Sequence, residues 1–111
     1  MTGQERREHL RYNFNGAPIL MHQDGPITGV TVDISSGGLG LILETPLELG
    51  METTLELFHQ RIRIKGTITN LSRIGKDRYQ VGVSFQDIEP GLVDGMRAVW
   101  GYRHSAAAKY V

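Results

Sequence analysis

From residue 17 to residue 86 the chain reads as short apolar segments separated by turn signals, the spacing expected of an all-β sandwich or barrel. Ala17 to Met21 predicts a first strand, ended by the turn-forming run His22-Gln23-Asp24-Gly25-Pro26. Gly29 to Asp33, with Val30 and Val32 alternating against Thr31 and Asp33, predicts a second, and Leu39 to Leu43 a third after the Ser35-Ser36-Gly37-Gly38 turn. A fourth covers Thr54 to Phe58, with Leu55 and Leu57 on one face and Glu56 on the other. The fifth, Arg61 to Leu71, places Ile62, Ile64 and Ile68 inward and Arg61, Arg63 and Lys65 outward, so its period is two. After a turn at Ile74-Gly75-Lys76-Asp77, the sixth carries Tyr79, Val81, Val83 and Phe85 on one face.

The two ends differ in kind. Residues 1–16 are polar and charged with no apolar face at either period, which predicts a flexible arm with at most one helical turn. Beyond Glu89-Pro90-Gly91, Leu92, Met96, Val99, Trp100 and Arg103 recur at helical spacing, and Asp94 early with Arg103 and Lys109 late matches the helix dipole. The expected division is therefore an arm at 1–16, a β-barrel at 17–89, and a C-terminal helix and tail at 90–111. Trp100 and Met96 would cap the open end of the barrel, or present a docking face together with Tyr102 and Tyr110.

Composition narrows the function. The chain has 111 residues, enough for one modest core, and no cysteine, so it has neither a disulfide framework nor a cysteine zinc site. Its apolar runs are too short to span a bilayer as a helix, and no apolar segment follows Met1, which predicts a cytoplasmic protein without membrane insertion. Twelve basic residues balance twelve acidic ones. That zero net charge argues against a general polyanion binder such as a DNA-coating protein, because such affinity scales with the number of phosphates neutralised. Nine of the twelve basic residues are Arg, the side chain whose planar fork matches phosphate and the guanine O6/N7 edge.

Two constellations carry chemistry. In Asp33-Ile34-Ser35-Ser36-Gly37-Gly38, residues i and i+2 of an extended chain share a side, so the Asp33 carboxylate and Ser35 hydroxyl converge on one edge. A carboxylate matches the adjacent N1–H and N2–H donors of guanine, and Gly37 and Gly38 leave room for a flat group. The same text also fits a plain Asx/Ser turn. The second constellation, Arg6-Arg7-Glu8-His9-Leu10-Arg11, fits either a solvated arm or a clamp in which guanidinium groups capture a compact dianion.

Taken together, Arg7-x-x-x-Arg11 in an N-terminal arm and Asp33-x-Ser35-x-x-Gly38 between two short strands, followed by Gly82-Val83-Ser84-Phe85 and a helix, resemble the PilZ domain, the bacterial receptor module for cyclic di-GMP. The resemblance runs through nearly the whole chain. It implies a six-stranded antiparallel β-barrel with a C-terminal helix, the ligand on the outer surface and the arginine arm closing across it. By matched position, Arg7 and Arg11 would bind phosphates and guanines, Asp33 and Ser35 guanine edges, and Gly38 would keep the turn open. Arg6, just before the first motif arginine, is the position the resemblance associates with an intercalated ligand dimer. Cyclic di-GMP is then a ligand, with no cofactor implied, and the signal passes to an unidentified downstream protein.

Catalysis finds little support. Ser35 and Ser36 lack a nucleophile elbow, His9, His22, His59 and His104 form no metal-ligand pair, and Gly37-Gly38-Leu39-Gly40 lacks the Gly-Lys-Ser/Thr of a phosphate-binding loop. We therefore expect no enzyme and no metal site. Two alternatives compete with the receptor reading. One is a small β-barrel binding single-stranded nucleic acid along Arg61, Arg63 and Lys65, although no aromatic residue alternates with that row. The other is a ligand-free protein-interaction module.

Overall fold

A computed structural model describes residues 11–23, 25–58 and 61–109, with side chains described as far as residue 100. Its strands are β1 (Tyr12–Asn13), β2 (Pro18–His22), β3 (Pro26–Ser35), β4 (Gly38–Leu43), β5 (Glu52–Leu57), β6 (Ile62–Gly75) and β7 (Arg78–Gln86), followed by helix α1 (Leu92–Lys109). The sheet runs β1-β3-β2-β5-β6-β7-β4, and β4 also pairs with β3. Every pairing is antiparallel, so β2 to β7 close into a six-stranded barrel as expected, with β1 added to it. Closure leaves few free strand edges. No described helix is long and apolar enough to cross a membrane.

The period-two text explains the interior. Leu39, Leu41 and Leu43 of β4, Leu55 and Leu57 of β5, Ile64 and Ile68 of β6, and Val81 and Val83 of β7 are all buried. Their alternate neighbours Arg63, Lys65 and Gln80 are exposed. Strand β6 runs on past Leu71 to Gly75, so the β6–β7 turn shortens to Lys76-Asp77, where Asp77 takes the left-handed conformation at φ +59°.

Three features depart from the alternation pattern. In β3 the pairing with β4 shifts between Thr31 and Asp33, a bulge at Val32. The bulge turns Val30 outward (42% exposed) and buries Thr31, whose hydroxyl donates to the Phe14 carbonyl and accepts the Ala17 amide. Val30 and Val32 therefore do not form the inner face their alternation suggested. In α1, Val93 and Met96 are buried and Leu92 and Trp100 pack against the core, whereas Val99 faces solvent. The inward stripe of the helix thus passes through Val93 and not Val99.

The third departure lies in the segment expected to be a free arm. β1 pairs Tyr12 with Ile34 and Asn13 with Asp33, along the same edge of β3 that β2 occupies further on. Gly16, at φ +91°, makes the kink between β1 and β2. Phe14 is fully buried, edge-on to Phe58 and tilted against Trp100 at 5.9 Å between ring centres. A single buried ring in a polar segment sets up no period to betray it, yet here it ties the arm's end to both barrel and helix.

Candidate functional site

The β3–β4 hairpin carries the Asp-Ser-Gly motif. Ser35 is buried, and its hydroxyl accepts the Gly37 amide at 3.3 Å and donates to the Gly38 carbonyl at 3.4 Å. The Gly37 carbonyl in turn accepts the Phe85 amide at 2.8 Å, fastening the turn to β7. Gly38 lies where a Cβ would come within 2.2 Å of the Val83 carbonyl oxygen, so the space a side chain would need is filled by the neighbouring strand. The Ser-turn reading of this segment therefore describes its local hydrogen bonding, and the ligand reading rests on what projects from it.

Asp33 is that projection. The bulge at Val32 and the inward Ile34 place it on the outer face, in register with Asn13 of β1 and Gly40 of β4. Arg11, the residue just before β1, donates from Nη1 to Asp33 Oδ1 at 2.9 Å, both side chains remaining partly exposed. Of the residues expected to form the site, the structure thus joins Arg11 to Asp33 at the surface and places Ser35 and Gly38 in the hairpin beneath. Arg6 and Arg7 lie outside the described residues.

Helix α1 reaches the same region. Its Arg97 guanidinium stacks over the Tyr12 ring at 3.2 Å, and Trp100 Nε1 donates to the Asn15 carbonyl at 3.3 Å. Between helix and β1 lies an open pocket of about 510 Å³ lined by Tyr12, Asn13, Asp94, Arg97, Ala98 and Trp100. The segment bearing Arg11 is therefore packed on β3 at one side and on the helix at the other. Neither Tyr12 nor Arg97 was singled out from sequence, since their pairing depends on how the helix lies across the barrel.

The remaining charged cluster sits on a different wall. Glu56 points outward from β5 yet its side chain is only 6% exposed, covered by His22, with Nε2 at 2.9 Å from Oε1, and by Arg63, with Nε at 2.8 Å from Oε2. The His22 contact does most to hold the Glu56 carboxyl below its ordinary value of 4.5; burial opposes it, and the charges of His22 and Arg63 add to the lowering. Arg63, the middle of the basic row proposed for a nucleic-acid backbone, is thereby committed to a neighbouring strand's carboxylate.

These features coincide with a known family. The family model for the PilZ domain matches residues 5–98. The chain belongs to the PilZ domain family. Solved structures agree with that fold. The structure titled as the PilZ domain with c-di-GMP of YcgR from Escherichia coli matches with a TM-score of 0.65 at 19% identity, covering 95% of this chain and 96% of its own. The Bacillus subtilis inhibitor of motility, MotI/DgrA, matches with a TM-score of 0.67 at 14% identity over 91% of this chain and 52% of its own. The K. pneumonia MrkH–c-di-GMP complex matches with a TM-score of 0.61 at 21% identity over 95% and 54%. This PilZ chain therefore spans almost all of the isolated YcgR domain and about half of the other two chains. No curated protein sequence matches it.

Proposed function

We propose that this PilZ domain is a non-catalytic, cytoplasmic receptor for cyclic di-GMP that acts through a partner protein. The observation that carries the reading is the Arg11–Asp33 bond, which brings the end of the arginine motif onto the carboxylate of the Asp-Ser-Gly motif on the outer barrel surface. In this reading the Asp33 carboxylate takes the N1–H and N2–H edge of a guanine, with Ser35 beside it and Gly38 holding the hairpin. Arg7 and Arg11 clamp the phosphates, a task suited to planar forks. Arg6 adds a third cation for a second, intercalated ligand molecule. That YcgR and MrkH have been solved with c-di-GMP bound supports the choice of ligand.

Ligand binding draws residues 5–11 over Asp33 and alters the surface that β1 shares with α1, and that altered surface is what a partner would sense. Calorimetry with purified protein and cyclic di-GMP tests the reading. We expect binding at micromolar affinity or tighter, about −8 kcal/mol or better. Absence of heat together with an unchanged melting temperature at saturating ligand overturns it.

A further inference from the structure

Strand β4 leaves the sheet before its neighbours do. It ends in the pairs Gly29↔Leu43 with β3 and Leu43↔Tyr79 with β7, whereas β3 starts at Pro26 and β7 at Arg78. Pro26 to Thr28 are therefore paired with β2 alone, and a notch of about 540 Å³ opens where β4 would have continued, lined from Pro26 across Glu44 and Thr45 to Arg78. The Thr31 amide donates to the Ala17 carbonyl, which fixes the alternation of β3: Ile27 and Gly29 direct their backbone groups at β2, and Thr28 directs its own away from β2, toward the notch. Val30, 42% exposed, pairs with the half-buried Ile42, and half-buried Ile27 joins them in the lining. A smaller cavity of about 300 Å³, walled by Leu47 and Met51, continues the notch past Pro26 and Thr45. Single exposed apolar residues are ordinary, but an apolar notch beside an uncovered strand edge is a place where another chain can pair.

We propose that this notch receives an extended segment of a partner protein, which lies beside the start of β3 in the line that β4 vacates. A branched apolar side chain of that segment fills the space among Ile27, Val30 and Ile42, and a carboxylate meets Arg78. The uncovered strand edge selects a peptide, whose main chain can bond to Thr28 while its alternate side chains enter the notch. Charge points the same way. Glu44 and Arg78 are both exposed on the lining, and among the described residues neither side chain has an ion-pair partner. A cation and an anion side by side suit a segment of mixed charge, whereas Glu44 repels a phosphate polymer or an anionic lipid surface. A second copy of this chain has no barrel strand to lend, since β2 to β7 are each already paired on both sides. The notch lies before the bulge of β3 and Asp33 lies after it, so a strand can dock there with or without cyclic di-GMP.

Amide-resolved NMR titration of the full chain with a capped synthetic peptide, Lys-Val-Glu-Val-Glu, tests this. We expect saturable shifts at Ile27, Thr28, Val30, Leu43 and Arg78, with a dissociation constant of about 1 mM or below. The same peptide with serine for valine should bind about tenfold more weakly, because it lacks the apolar anchors. The peptide methylated on both valine nitrogens should lose as much, because it can no longer donate to the strand edge. Val30→Ser and Arg78→Ala alter exposed positions, so each should keep the melting temperature while weakening the parent peptide about fivefold. No shifts in the millimolar range, or shifts confined to another wall of the barrel, overturn the docking site. Equal binding of the serine peptide removes the apolar notch, and equal binding of the methylated peptide removes strand addition. The same shifts produced by phosphatidylglycerol vesicles, by a single-stranded oligonucleotide, or by raising the protein concentration alone would assign the surface to a membrane, a nucleic acid or a second copy, and overturn the peptide as its occupant.

Discussion

The Arg11 guanidinium and the Asp33 carboxylate, 22 residues apart in the chain, meet at 2.9 Å on the outside of the barrel. Arg11 just precedes a two-residue strand held on β3, and Asp33 is turned outward by a one-residue bulge. Arg11 of the arginine motif and Asp33 of the Asp-Ser-Gly motif therefore arrive at one place through ordinary backbone devices, and the part of each can be separated from the fold.

Arg11→Ala and Asp33→Ala should each remove most of the affinity for cyclic di-GMP and leave the barrel folded. A partly exposed ion pair contributes about 0.2–1 kcal/mol, so the change in unfolding free energy should not exceed that. Paired chemical denaturation and calorimetry check both halves of the statement. A loss of several kcal/mol in stability would assign the pair to the fold instead.

Ser35→Ala should cost stability, because its buried hydroxyl satisfies the Gly37 amide and bonds the Gly38 carbonyl. About 1 kcal/mol is the expected loss for such a bond. Gly38→Ala should cost more, about 1–3 kcal/mol, since the Val83 carbonyl stands where the methyl must go and backbone has to shift. Denaturant midpoints compared with wild type will rank the two.

Phe14→Ala should destabilise the domain by about 3–5 kcal/mol, the usual range for removing a buried phenylalanine, even though Phe14 lies outside the six barrel strands. It should also loosen Trp100, visible as a red shift of the indole emission. A change below 1 kcal/mol would mean that β1 and the helix are not anchored through this ring.

Glu56 sets an acid limit. Its carboxyl titrates below the ordinary value of 4.5 in the folded chain, so its contribution to stability is fully present above that value and is lost as pH falls through the lowered one. The melting-temperature gap between wild type and Glu56→Gln should therefore be constant near neutral pH and close in acid. A gap that persists unchanged at pH 3 contradicts the assignment of the lowering to the His22 and Arg63 contacts.

Most of the barrel was legible because inward residues recur every second position: Leu39, Leu41 and Leu43, or Val81 and Val83, needed no partner to be recognised. Val30 and Thr31 were not legible, since a bulge adds one residue and exchanges the faces without leaving a mark in the text. Phe14 escaped for the opposite reason, being one buried ring in a polar segment. At the candidate site, Asp33 and Arg11 were visible as motif residues. Tyr12 and Arg97, stacked beside them, were not, because their adjacency depends on how the helix lies across the barrel.

An amide-resolved titration with cyclic di-GMP tests the central claim most directly. The account predicts saturable shifts concentrated at Arg11, Asn13, Asp33, Ser35 and Gly38, little change along Glu56 and Arg63, and loss of the response in Asp33→Ala. Shifts confined to the Glu56–Arg63 wall, or none at saturating ligand, would contradict it.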